Sequence, residues 1–269
     1  RPSVPSPPLF DSEMAGVLEF GNRRIQLRRH KGIVPTDCTM DVEERKRALL
    51  AIALVGFAPS LSIIYSLLLS EDEFQTQVFF IACKAWILVI PTVWYLRVER
   101  NEPSRSLPES GGLRMGAITG LGMSALILAT WFTLGDSIDT SAMIAELEPT
   151  GLMDIQMYIV GVLYWIFINS LLEEYVFRWF ITTKGYELLG SEAQAIVLSA
   201  VMFTLHHSLA LHLFGFEWWQ TALASFGLLA AAAIWSWLYM RYRSIWVCWL
   251  SHAMCDMVVF GVGYLLLFK

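Results

Sequence analysis

Ile245-Trp-Val-Cys-Trp-Leu-Ser-His252-Ala-Met-Cys-Asp256-Met-Val-Val-Phe-Gly-Val-Gly-Tyr-Leu-Leu-Leu-Phe268 is apolar almost from end to end and carries one histidine and one aspartate, with a serine beside the histidine. A helix that crosses about 30 Å of hydrocarbon needs about 20 mostly apolar residues, and this stretch supplies them. Six more stretches upstream have the same character, near Ala48–Leu69, Phe74–Leu96, Met115–Gly135, Met157–Phe180, Ala193–Leu213 and Gln220–Met240. In hydrocarbon an unpaired backbone group costs several kcal/mol, so such segments are helical or belong to a closed barrel. Barrel strands would be alternating segments of about ten residues, and none is present. The expected fold is therefore all-α, a polytopic bundle of about seven transmembrane helices.

Composition agrees. Of the 269 residues, 56% are apolar and only 16% charged, against about a quarter charged in soluble domains. The formal net charge of −5 hides a sorting of charges along the chain. With the N-terminus inside, 17 of the 19 lysines and arginines fall in the tail, on the cytosolic loops or at the cytosolic ends of the spans; the others are Lys84 and Lys269. The opposite loops, 70–73, 136–156 and 214–219, hold no lysine or arginine and are acidic. Positive charge stays inside, so the N-terminus is expected in the cytosol, with the protein in the cell (inner) membrane if the source is prokaryotic.

Three parts are expected: a basic cytosolic tail over 1–47, accessory helices and an external loop over 48–155, and a core of four helices over 156–269. The tail starts Pro-rich, turns basic from Arg23 to Lys31, and reads as partly disordered near anionic lipid. The cysteines, Cys38, Cys83, Cys248 and Cys255, suit neither a disulfide framework nor a zinc site. Gly116 and Gly120 form a small-xxx-small pair in the third span, alone a weak sign of close helix approach.

Ionisable groups inside spans are expensive and usually functional. Glu173, Glu174 and Arg178 lie on the fourth span, His206 and His207 on the fifth, and His252 and Asp256 on the seventh; Lys84 stands alone on the second. Glu174 and Arg178 are four apart and share a face, which predicts a structural ion pair. Glu173 points about 100° away with no evident cation, and a poorly hydrated carboxylate suits a general base. His252 and Asp256, also four apart, line one cavity.

In order and spacing, Glu173-Glu174-xxx-Arg178, Phe203-xxx-His207 and His252-xxx-Asp256 resemble the motifs of the CAAX-protease and bacteriocin-processing (CPBP, or Abi) family of glutamic intramembrane proteases. Those motifs are Glu-Glu-xxx-Arg, Phe-xxx-His and His-xxx-Asn/Asp. The resemblance covers roughly Gln156 to Phe268. It implies that Glu173 and His207 activate a water, while His252 and the residue at 256 stabilise the oxyanion. The best-studied members have Asn at the last position; Asp256 can donate a hydrogen bond only when protonated, and otherwise orients His252.

The function expected is hydrolysis of membrane-associated protein or peptide substrates, either CAAX-type or leader and sorting peptides. No cofactor and no nucleic acid is expected, and the lipid bilayer is the surrounding partner. Two alternatives stay open: a zinc-dependent version with Glu173, His207 and His252 as ligands, and a transporter or other non-catalytic membrane protein. Transporters usually show repeats and broken helices, and none is evident. His206 matches no motif position. Because neighbours on a helix diverge by about 100°, it is expected to face another helix rather than Glu173.

Overall fold

The computed structural model describes residues 17–20, 23–26, 42–102, 107–108 and 111–269. Seven helices are long and apolar enough to cross a membrane: α1 Val42–Leu69, α2 Glu73–Val98, α3 Gly112–Ser137, α4 Ile155–Leu189, α5 Glu192–Leu213, α6 Trp218–Tyr242 and α7 Ile245–Phe268. The all-α expectation holds for the bundle. The strands among the described residues are a short antiparallel hairpin in the tail, β1 Val17–Phe20 with β2 Arg23–Gln26, in which Val17 pairs with Gln26. The rest of the expected disordered tail lies outside the described residues, apart from its last turns.

Those last turns correct one boundary. α1 begins at Val42 rather than near Ala48, so Glu43 to Arg47 are helical. The acidic pair sits in the first turn, where it favours the helix dipole. α4 is also longer than its apolar stretch and continues from Phe180 to Leu189. Gly190 stops it in a left-handed conformation (φ +67°), which costs a residue without a Cβ little. Ser191 then caps α5, accepting from the Gln194 amide.

The length of α4 sets where the polar groups lie along their helices. Glu173 precedes the end of α4 by sixteen residues, and His207 follows the start of α5 by fifteen. His252 follows the start of α7 by only seven. At 1.5 Å per residue these are about 24, 22 and 10 Å. The α4–α5 hairpin therefore projects past the start of α7 by roughly 12 Å. The first turns of α1 pack against the projecting end of α4. Lys184, near that end, pairs with Glu187 at 2.7 Å and with Glu99 beyond α2.

Packing places α4 at the centre, with α1, α2, α5, α6 and α7 against its second half. Much of the outer surface is apolar: Phe132 is 80% exposed and Phe226 72%. α3 braces α7 at close range through Gly112, Gly116 and Gly120. A Cβ on Gly116 would meet the Val247 carbonyl oxygen at 2.5 Å, and one on Gly120 would crowd the Ser251 backbone at 3.1 Å. The weak glycine signal thus marks a real contact. Ser124 Oγ donates to the Met254 carbonyl at 3.1 Å, and Thr119 shares a 3.0 Å hydrogen bond with Ser251. The accessory helices are interleaved with the four core helices rather than set apart from them.

The loop before α4 is not plain coil. It contains a short helix, Ser141–Leu147, that rests on the α5–α6 turn, where a Cβ on Gly215 would meet Ala142 Cβ at 2.4 Å.

Candidate active site

α4 changes pitch where its charges lie. Trp165–Asn169 and Glu174–Thr182 are wide π-turns, with the ordinary turn Ser170–Glu173 between them. Such bulges free carbonyls that need other donors, and they recur at functional sites. Here the Phe177 carbonyl accepts from Thr182 Oγ1 at 2.8 Å and from Ser199 Oγ of α5 at 2.7 Å. The local distortion is held in place by hydrogen bonds from two helices.

The two glutamates face different partners. Glu174 is fully buried and pairs with Arg178, its Oε2 lying 3.2 Å from Nε. The guanidinium, also fully buried, sits among aromatic rings, 4.4 Å from the centroid of Phe203 and 5.1 Å from that of Trp235. Arginine suits this place because its flat, weakly hydrated cation stacks on ring faces. The other carboxylate oxygen of Glu174 lies 2.8 Å from His252 Nδ1. That bond directs the opposite ring nitrogen, Nε2, towards Asp256 (3.5 Å) and Glu173 (3.8 Å). Trp235 stacks on the His252 ring at 4.1 Å and donates its indole N–H to Ser251 Oγ.

Glu173 has no arginine or lysine within salt-bridge distance among the described residues. Oε1 accepts from Asn169 Nδ2 at 2.8 Å and lies 4.0 Å from His206 Nε2; Oε2 faces His252. His207 donates through Nδ1 to the Phe203 carbonyl at 3.0 Å, which leaves Nε2 with a free lone pair. Glu173, His206 and His207 each offer a ligand atom, all within 4.8 Å of one another. Glu173, Glu174, His206 and His252 are buried, whereas His207 and Asp256 are partly exposed and mark the open side of the cluster.

Two expectations need correction. His206 does not turn away from Glu173; both imidazoles reach it. Helical spacing fixes where Cβ atoms point, but the α4–α5 packing brings the carboxylate within 4.8 Å of a nitrogen on each ring, the two rings lying 4.1 Å apart. For the metal alternative, Glu173, His206 and His207 bring ligand atoms within 4.8 Å of one another, and His252 Nε2 lies 3.8 Å from Glu173. His252 is committed through Nδ1 to Glu174. Glu174, rather than Asp256, makes the shorter contact that orients it. Sequence reasoning also missed Asn169 and Trp235. A polar residue one turn before Glu173 was the available sign for the first; Trp235 left none.

Residues 155–258 match the sequence model of the Rce1-like family, described as type II CAAX prenyl endopeptidase Rce1-like. This segment is similar to that family. The Rce1-like segment runs from the first turn of α4 to just beyond Asp256 in α7, and so holds every motif residue named above. α1, α2 and α3 precede it. No curated protein and no solved structure matches the chain. The seven apolar helices and the Rce1-like segment together make this an integral membrane protein.

Proposed function

We propose that the chain is an intramembrane endopeptidase that hydrolyses the C-terminal region of membrane-associated, CAAX-type substrates. The observation that carries the reading is the buried Glu173 carboxylate, free of a lysine or arginine contact and faced by the imidazoles of His206, His207 and His252. Glu173 takes a proton from a water that attacks the scissile carbonyl, with the free Nε2 of His207 as second acceptor. His252, oriented by Glu174 and floored by Trp235, faces the position where the oxyanion forms, and Asp256 lies beside it. Collapse of the intermediate returns the proton to the leaving amine. The prenylated class is preferred to leader or sorting peptides because the matching family is one of prenyl endopeptidases.

One observation favours a second reading. Glu173, His206 and His207 have the donor types of a zinc site with an open position, and their ligand atoms lie within 4.8 Å of one another. Such a metal would supply a polarised water at the same place. A single assay separates the two. Purified protein should cleave a farnesylated peptide ending in Cys-aliphatic-aliphatic-X, and keep that activity after exhaustive chelation. Loss restored by zinc alone would assign the metal version; no cleavage of any prenylated peptide would refute the substrate class.

The sorting of lysine and arginine supports a cytosolic N-terminus and an external 136–156 loop in the cell membrane. In a cysteine-free background, Ser141→Cys should react with an impermeant thiol reagent in intact cells. Reaction only after permeabilisation would invert the topology.

A further inference from the structure

Lys84 lies on α2, outside the Rce1-like segment, and has no motif role. Its ammonium group donates to Asn169 Oδ1, and Asn169 Nδ2 donates to Glu173 Oε1 at 2.8 Å. A lysine can only donate, and an ionised carboxylate can only accept. An asparagine amide between them therefore has one satisfied orientation, with oxygen towards Lys84 and nitrogen towards Glu173. Rotated by half a turn, it would place its NH₂ against an ammonium and its oxygen against a carboxylate. The lysine thus sets the polarity of the amide, and the amide fixes one oxygen of the glutamate.

Two details argue that this relay serves the site rather than merely housing a stray cation. Asn169 closes the first π-turn of α4, so the widened turn coincides with the residue that reaches both partners. The bonded oxygen, Oε1, is also the one nearest His206, while Oε2 is left towards His252. Holding Oε1 therefore fixes which face of the carboxylate each imidazole meets.

We propose that Lys84 is a positioning residue: through Asn169 it holds the Glu173 carboxylate in the one orientation that serves all three histidines. The consequence for catalysis rests on the protease reading above; the relay itself does not. Supporting residues of this kind typically contribute about ten- to a hundredfold to activity. Lys84→Met is expected to lower kcat by about that factor with KM within about twofold, the sign of a misplaced group rather than lost binding. Lys84→Arg, which also only donates, should recover most of it. Asn169→Leu should match Lys84→Met, and the double variant should fall no further than either, since both interrupt one chain.

The deciding measurement does not need turnover. The carboxylate stretch of Glu173, isolated by infrared difference between ¹³C-glutamate-labelled protein and its Glu173→Gln variant, should shift in Lys84→Met and return in Lys84→Arg. An unchanged band would overturn the proposal whatever the cleavage assay shows. A shifted band in a protein that cleaves nothing would keep the relay and sink the protease reading. Additive losses in the double variant would show that Lys84 and Asn169 act separately, which also overturns it.

Discussion

Glu173→Gln is expected to lower cleavage of a prenylated reporter by about a hundred- to ten-thousandfold, the span that a positioned base contributes. Glutamine keeps the shape and keeps an oxygen that accepts from Asn169 Nδ2, so the 2.8 Å hydrogen bond survives. What is lost is the ability to take a proton from water. Expression and thermal midpoint should stay near those of the parent, which makes the comparison clean. The assay is initial rate in detergent or liposomes, normalised to folded protein. Cleavage persisting at a tenth of the parent rate would remove Glu173 from the role of base.

Glu174→Gln should behave in the opposite way. Breaking one side of a buried ion pair leaves a charge without its partner and costs about 3–5 kcal/mol. Arg178 is fully buried beside the rings of Phe203 and Trp235, and Glu174 is the carboxylate that pairs with it among the described residues. His252 can still donate to the new amide oxygen, so its orientation is partly kept. The expected result is a marked fall in the midpoint of thermal or detergent unfolding, with activity falling in step with the folded fraction. A fully stable Glu174→Gln protein would mean that the ion pair with Arg178 is not what holds this part of the bundle together.

The two glutamates also show what a sequence discloses and what it withholds. Glu174 and Arg178 were readable as a pair because a four-residue spacing survives the π-turn. The spans were readable because hydrocarbon demands long apolar segments and the membrane sorts lysine and arginine. Hydropathy reports the solvent a residue meets, however, and not where the backbone hydrogen bonding ends. It therefore missed the polar turns of α1 before Ala48 and of α4 beyond Phe180, which are helical but project from the apolar layer. In the site, the motifs located Glu173, Glu174, Arg178, Phe203, His207, His252 and Asp256 on helices that meet. His206 was misplaced because a wheel shows how side chains leave their own helix and not how near a partner helix brings its carboxylate to two neighbouring rings. The Lys84–Asn169 contact joins residues 85 apart on different helices. No local pattern encodes such a pair; only the packing of α2 against α4 creates it.

Arg178 and Lys84 differ in when their partners are synthesised. Arg178 emerges from the ribosome four residues after Glu174, so α4 enters the bilayer already carrying its counter-charge. Lys84 emerges 85 residues before Asn169. Until α4 arrives, α2 holds an uncompensated ammonium that costs about 2.5–3.5 kcal/mol at a helix centre. Its flanking run of phenylalanine, isoleucine, tryptophan and valine must outweigh that cost alone. Biogenesis of this bundle thus has a built-in order, in which the second helix waits in lipid for the fourth.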